Sequence, residues 1–122
     1  MAKGHHVLVD CYDVCSSVCK DDQRVQEALV SAAKNCGANV LGTMRYHFGH
    51  NSPAGFAIVV MLDESHCSAH AYADEGLIAF DFFTCGDTDP ELVWEFVRRE
   101  LDPDETWMCS IQRRSRFTKV SE

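Results

Sequence analysis

A chain of 122 residues, 46% hydrophobic and 25% charged, is long enough for one domain with a core of its own and too short for two. A formal net charge of −8 speaks against nucleic acid and anionic membranes as partners and is compatible with a cationic substrate. No apolar run approaches the ~20 residues of a membrane span, and the start Met1-Ala2-Lys3-Gly4-His5-His6 lacks the apolar stretch of a secretory signal. A cytoplasmic protein is therefore expected. Seven cysteines, at positions 11, 15, 19, 36, 67, 85 and 109, include no CxxC pair. Cys11, Cys15 and Cys19 recur every four residues, a spacing that matches neither zinc fingers nor the common iron–sulfur runs, so free thiols and no metal are expected.

In chain order, residues 6–12 alternate, with Val7 and Val9 on one face and Leu8 and Asp10 on the other, and predict a first strand. Residues 13–20 are too mixed to assign. Asp21 or Asp22 can cap a helix running to Cys36, whose stripe of Val25, Ala28, Leu29, Ala32, Ala33 and Cys36 keeps the spacing of one buried face. Gly37 supplies the left-handed stop. Residues 38–48 predict a second strand, and the turn formers from Gly49 to Gly55 an exposed loop. Phe56 to Leu62 is apolar on both faces and predicts a central third strand; Leu77 to Thr84 predicts a fourth. Asp89-Pro90-Glu91 combines a capping acid, a proline at the first helical position and an acid in the first turn. The helix it opens carries Val93, Phe96, Val97 and Leu101 as its buried stripe and breaks at Asp102-Pro103-Asp104. Residues 106–111 predict a fifth strand, and Arg113, Arg114 and Arg116 a basic, solvated end. The order β-α-β-β-β-α-β implies an α/β two-layer sandwich, a mostly antiparallel sheet with two helices packed on one face, as a single domain over 1–122. The other sheet face must be wet or paired.

The chemistry concentrates between the third and fourth strands. Asp63-Glu64-Ser65-His66 follows the third strand, His70 lies five residues after the serine, and the fourth strand ends at Cys85-Gly86. Ser65, His70 and Cys85 supply a hydroxyl nucleophile, a base near neutral pH and a thiol acid, and a hairpin of the two strands would bring them together. Cys67 and Cys109 read as core thiols.

The order and spacing of these residues resemble a specific family. Glu64-Ser65-His66, a second histidine four residues on, and Phe83-Thr84-Cys85-Gly86-Asp87 are similar to the small bacterial, archaeal and phage S-adenosylmethionine decarboxylases, pyruvoyl enzymes that cut themselves between Glu and Ser. The likeness extends to Gly4-His5-His6, where the family usually has Gly-Arg-His, to Gly37-Ala38 and to Asp89-Pro90, and so covers roughly residues 4 to 112.

The resemblance implies that Ser65 attacks the Glu64 carbonyl, that the ester eliminates, and that hydrolysis releases ammonia and leaves a pyruvoyl group at position 65. Chains of residues 1–64 and 65–122 would result. The pyruvoyl group would hold the substrate's α-amine as a Schiff base and act as an electron sink. His70 is the implied proton shuttle of processing, Cys85 the implied proton donor to the product, and a homodimer of cleaved protomers the implied assembly. The implied reaction makes the aminopropyl donor of polyamine synthesis from S-adenosylmethionine.

Two stretches depart from the family. Its usual Thr-Trp-Pro-Glu is Ala71-Tyr72-Ala73-Asp74 here, followed by Glu75, and its upstream processing serine has no counterpart in Phe56-Ala57-Ile58. Ser52, Ser68 or water would have to substitute. Tyr72, Asp74 and Glu75 are the candidate substrate-binding residues, and they leave open a basic amino acid, ornithine or arginine, as an alternative substrate. A third possibility, an uncleaved homologue that only binds a partner, is opposed by the complete set of Glu64–Ser65, His70 and Cys85.

Overall fold

The structure, a computed structural model, describes residues 4–113. Six strands form one sheet: β1 Gly4–Tyr12, β2 Val40–Phe48, β3 Gly55–Leu62, β4 Ser65–Tyr72, β5 Leu77–Cys85 and β6 Glu105–Gln112. Their spatial order is β2-β3-β4-β5-β1-β6, and every neighbouring pair is antiparallel. Helices α1 (Asp22–Asn35) and α2 (Pro90–Leu101) pack on one face, α1 over β2 and β3, α2 over β5 and β1. The expected α/β two-layer sandwich is what forms, with a sheet that is wholly antiparallel.

Local chemistry sets the helix ends. The Asp21 carboxylate accepts from the Arg24 N–H at 3.1 Å and starts α1; the Asp89 carboxylate accepts from the Glu91 N–H at 2.9 Å and starts α2. Asp102 ends α2 in the left-handed region, φ +46°. Of the predicted α1 stripe, Val25, Ala28, Leu29, Ala32 and Ala33 are buried, whereas Cys36 caps the helix C-terminus and is only half-buried. In α2 the buried residues are Pro90, Val93, Trp94 and Val97, while Phe96 and Leu101 are only half-buried. Trp94, which the periodicity did not single out, lies against Phe80 and Phe82, ring centroids 5.4 and 6.0 Å away.

Three expectations need correction. Residues 65–72 form a full strand, β4, paired on both sides, so the sheet has six strands rather than five. And β3, although interior in the sheet, is covered on one side only: Phe56, Ile58, Val60 and Leu62 are sealed under the helices, whereas Val59 and Met61 are exposed. The face away from the helices also presents Met44, Tyr46, Tyr72 and Trp107, with Met44 at 76% and Tyr46 at 65% exposure. Cys109, expected in the core, lies on β6 and is exposed. Arg114 and Arg116 of the basic end fall outside the described residues.

Candidate active site

Leu62 and Ser65 are cross-strand partners, so β3 and β4 are joined by only Asp63 and Glu64. Turns this tight call for left-handed backbone, and Glu64 adopts it at φ +60°. For a residue with a Cβ that conformation costs about 1–2 kcal/mol. The peptide between Glu64 and Ser65 thus leaves a strained residue.

Ser65 opens β4 half-buried, and its Oγ accepts a hydrogen bond from the backbone N–H of Cys85 at 3.1 Å. The first residue of β4 and the last of β5 are therefore tied together. The turn beyond Cys85 is held by Thr84, whose buried hydroxyl donates to the Thr88 carbonyl at 2.7 Å.

His70 is not part of this pair. It stands five residues further along β4, between Ala57 on β3 and Ala79 on β5, about 17 Å from Ser65 at the rise of a strand. The hairpin expected to gather all three residues gathers Ser65 and Cys85 only, because the segment carrying His70 is extended. His70 instead helps line a cleft of about 420 Å³ at the opposite end of the sheet. Phe48, Ser52, Pro53 and Ala54 form one side of this cleft, and Tyr72, Asp74 and Glu75 the other. All three candidate substrate residues thus share a cleft with His70. Of the serines offered as substitutes for the missing hydroxyl, Ser52 lines the same cleft, and Ser68 precedes His70 by two residues on the same face of β4. A larger groove of about 530 Å³ runs between α1 and α2, lined by Arg24, Glu27, Arg99 and Glu100 among others, and contains none of these groups.

Near Ser65, the open face carries a cluster that sequence reasoning missed. His66 on β4, Phe83 on β5 and His6 on β1 are in register across three strands. The Phe83 ring lies 5.5 Å from His66 and 5.7 Å from His6, and the two imidazoles meet edge-on at 6.2 Å. The His6 Nε2–H donates to the Asp81 carboxylate at 3.0 Å, and the Arg113 guanidinium sits 5.3 Å from the Phe83 ring centre. Burial, with His6 and Arg113 nearby, holds the His66 imidazole below its usual pKa against an opposing pull from Asp81. The available signal was the period-2 spacing of Gly4 and His6 and of Asp81, Phe83 and Cys85, which puts each set on one face.

All seven cysteines are unpaired, and among the described residues no group of three or more His, Cys, Asp or Glu could hold a metal ion. Burial pushes the Cys11 and Cys67 thiols up to about 12, whereas hydrogen bonding to Ser17 lowers that of exposed Cys15. Among the described residues no helix is long and apolar enough to cross a membrane.

Comparison with known proteins bears on this geometry. The family model described as S-adenosylmethionine decarboxylase matches residues 5–114. The chain belongs to the S-adenosylmethionine decarboxylase family. Among its relatives is an S-adenosylmethionine decarboxylase proenzyme of Brevibacillus brevis, 35% identical over 111 residues that make up 90% of this chain and 81% of the relative. A proenzyme of the same description from Methanococcus maripaludis is 35% identical over 112 residues, 90% of this chain and 88% of the relative. The crystal structure of the adenosylmethionine decarboxylase from Aquifex aeolicus superposes with a TM-score of 0.82, covering 99% of this chain and 98% of that one at 24% identity, which shows a shared fold. This carboxy-lyase family membership gives the Ser65–Cys85 end and the His70 cleft their chemical context.

Proposed function

We propose that this chain is a proenzyme that cuts itself between Glu64 and Ser65 into residues 1–64 and 65–122 and then decarboxylates S-adenosylmethionine, making an aminopropyl donor for polyamine synthesis. The observation that carries this reading is the Ser65 hydroxyl, held by the Cys85 N–H beside a left-handed Glu64. A hydroxyl positioned against the carbonyl that precedes it attacks within its own chain, where effective concentrations reach on the order of 10⁵ M or more. The Cys85 N–H engages one lone pair of Oγ and leaves the hydroxyl proton free for removal, with a second protomer's His70 as its acceptor. Cleavage also frees Glu64 from its strained turn.

The residues around position 65 fit a pyruvoyl group formed there: the Ser65 side chain is only half-buried, and the adjoining cysteine is unpaired and accessible in part. That group supplies the electron sink for the carbanion left when carbon dioxide departs. Cys85 then delivers the proton to the substrate's α-carbon. In the cleft, Phe48 and Tyr72 offer aromatic surfaces for a nucleoside, and Asp74 and Glu75 offer acceptors for ribose hydroxyls or a sulfonium charge.

The separation of about 17 Å between Ser65 and His70 supports a site built by two protomers. Pairing of the open, apolar sheet faces about a twofold axis lays the cleft end of one protomer over the Ser65 end of the other. Each site of the homodimer then takes Ser65 and Cys85 from one protomer and His70, Tyr72, Asp74 and Glu75 from its partner. Seven free thiols suit a reducing cytoplasm.

Incubated wild-type protein should run as two pieces under denaturing conditions, the C-terminal piece blocked to Edman chemistry and reactive with hydrazines, while Ser65→Ala stays whole. A wild-type chain that never splits overturns the proposal and leaves the uncleaved, partner-binding homologue standing. Two acids in one cleft, Asp74 and Glu75, favour a second reading, the same chemistry on ornithine or arginine. The ratio of kcat/KM among the three substrates on processed enzyme decides between them.

A further inference from the structure

Gly4, His6 and Asp81 stand outside every role assigned so far, yet all three converge on Phe83. The Phe83 ring lies directly over Gly4: a Cβ built there would come within 2.5 Å of Phe83 Cε1 and 2.6 Å of Cζ. Gly4 is the register partner of Cys85, so on the open face the place beside Cys85 that a β1 side chain would fill is filled by the Phe83 ring instead. Three contacts hold the ring there. His6 meets it edge-on, His66 lies tilted against it, and Arg113 stacks on it while its backbone N–H donates to the Gly4 carbonyl at 2.7 Å. Asp81, two residues before Phe83 on the same face, fixes the His6 ring by accepting from Nε2. A β1 residue with a side chain at position 4, or an unanchored ring at position 6, would not leave Phe83 this place.

We propose that Gly4, His6 and Asp81 are positioning residues for the reaction at Ser65 and Cys85, acting through Phe83, whose ring walls the β1 side of Cys85 so that the thiol is the one proton source facing the reacting carbon. The inference rests on the reading of Cys85 as the acid that protonates the product. With the ring displaced, water reaches the electron-rich site and the proton goes to the carbon derived from Ser65. Residue 65 then takes up the substrate's nitrogen and becomes an alanine, the decarboxylated substrate leaves as an aldehyde after hydrolysis, and the carbonyl is lost. The balance needs only one proton and one water. The Glu64–Ser65 cleavage, which does not use this wall, proceeds normally.

The test uses full-length, self-cleaved enzyme and reads the mass of the C-terminal chain after a counted number of turnovers, which reports pyruvoyl or alanine at position 65. Gly4→Ala, which pushes the ring aside while keeping His6, and His6→Ala, which keeps Gly4, should each raise alanine formation per turnover by about tenfold. His6→Gln, whose amide N–H can still reach Asp81, and Asp81→Asn, which still accepts, should stay near wild type. Melting curves and cleavage yields on the same samples identify variants that fail to fold; Asp81→Ala and Phe83→Leu then serve in their place, with the same tenfold rise expected. Cleaved, folded variants with a wild-type alanine yield overturn the proposal. Cys85→Ala separates the two layers. If it raises alanine formation and the positioning variants do not, the positioning role is wrong and the Cys85 reading stands; if it leaves alanine formation unchanged, the Cys85 reading falls and this inference with it.

Discussion

On one side of β3, Phe56, Ile58, Val60 and Leu62 are sealed beneath the helices; on the other side of the same strand Val59 and Met61 stand open. The two sheet faces are both rich in apolar side chains and differ in what covers them. The helix face is a finished core, with Phe80, Phe82 and Trp94 packed together and the single buried polar side chain among the described residues, Thr84, satisfied. The open face carries His6, His66, His70, Tyr72 and Asp81 among uncovered apolar residues. A fold can be complete on one face alone; the candidate groups His66, His70 and Tyr72 lie on the other, and the proposed site draws on both ends of β4.

The largest effect should come from separating those ends. His70→Ala should slow self-cleavage by on the order of 10²- to 10⁴-fold. Co-expression of His70→Ala with Ser65→Ala should restore about a quarter of the wild-type sites, because half of randomly mixed twofold dimers are mixed and each has one complete site. Absence of any rescue would place Ser65 and His70 in the same protomer and break the comparison.

Next in size is the contrast between faces. Phe82→Ala, fully buried against Phe80 and Trp94, should cost about 3–5 kcal/mol in denaturant titrations of the uncleavable Ser65→Ala chain. Met61→Glu on the opposite face should cost at most about 0.5 kcal/mol in a dissociated protomer yet shift sedimentation from dimer to monomer. A Met61→Glu protein that remains dimeric would assign the open face another purpose.

A smaller effect sharpens the picture at the cleft. Asp74 and Glu75 are exposed in the protomer, where one charge contact is worth about 0–1 kcal/mol, so Asp74→Asn or Glu75→Gln should lower kcat/KM less than about fivefold. A loss well beyond tenfold, seen with one substrate and not another, would mean that the partner's face closes over these acids.

The smallest effect concerns His66. Its folded pKa lies below the ordinary 6.5, chiefly through burial, so the unfolded chain binds its proton more readily. The stabilisation is full above about pH 6.5 and is lost as pH falls through the folded value. Between about pH 7 and pH 5 the melting temperature of Ser65→Ala should therefore drop further than that of Ser65→Ala with His66→Asn.

Helix caps, helix faces and four of the six strands were legible because Asp21, Asp89, the Val25–Ala33 stripe and runs such as Leu77–Thr84 each carry a strong local signal. The fifth strand near the C-terminus was legible within a residue at each end. β4 was not, although Ser65–Tyr72 alternates faithfully. Its inward residues are Cys67, Ala69 and Ala71, small because β4 runs below the seam between α1 and α2, and such residues give little hydrophobic contrast. Missing that strand is what placed His70 beside Ser65. Ser65 and Cys85 were legible from their motifs, and the Phe83 cluster was not, since its members come from β1, β4, β5 and the residue that follows β6 and meet only through register.

The strand order has a consequence for the cleaved protein. Residues 1–64 contribute β1, β2 and β3, and residues 65–122 contribute β4, β5 and β6, yet β1 lies between β5 and β6. The two pieces would be interleaved, sharing three ladders, β3 with β4, β5 with β1, and β1 with β6. They could not drift apart without dismantling the sheet, so the native protein would outlast the proposed cut. Once denatured, however, the pieces must find each other again in solution. Folding, a first-order event for the intact chain, would become second-order for the cleaved pair, and the proposed self-cleavage would leave a molecule whose shape was acquired by a chain that no longer exists.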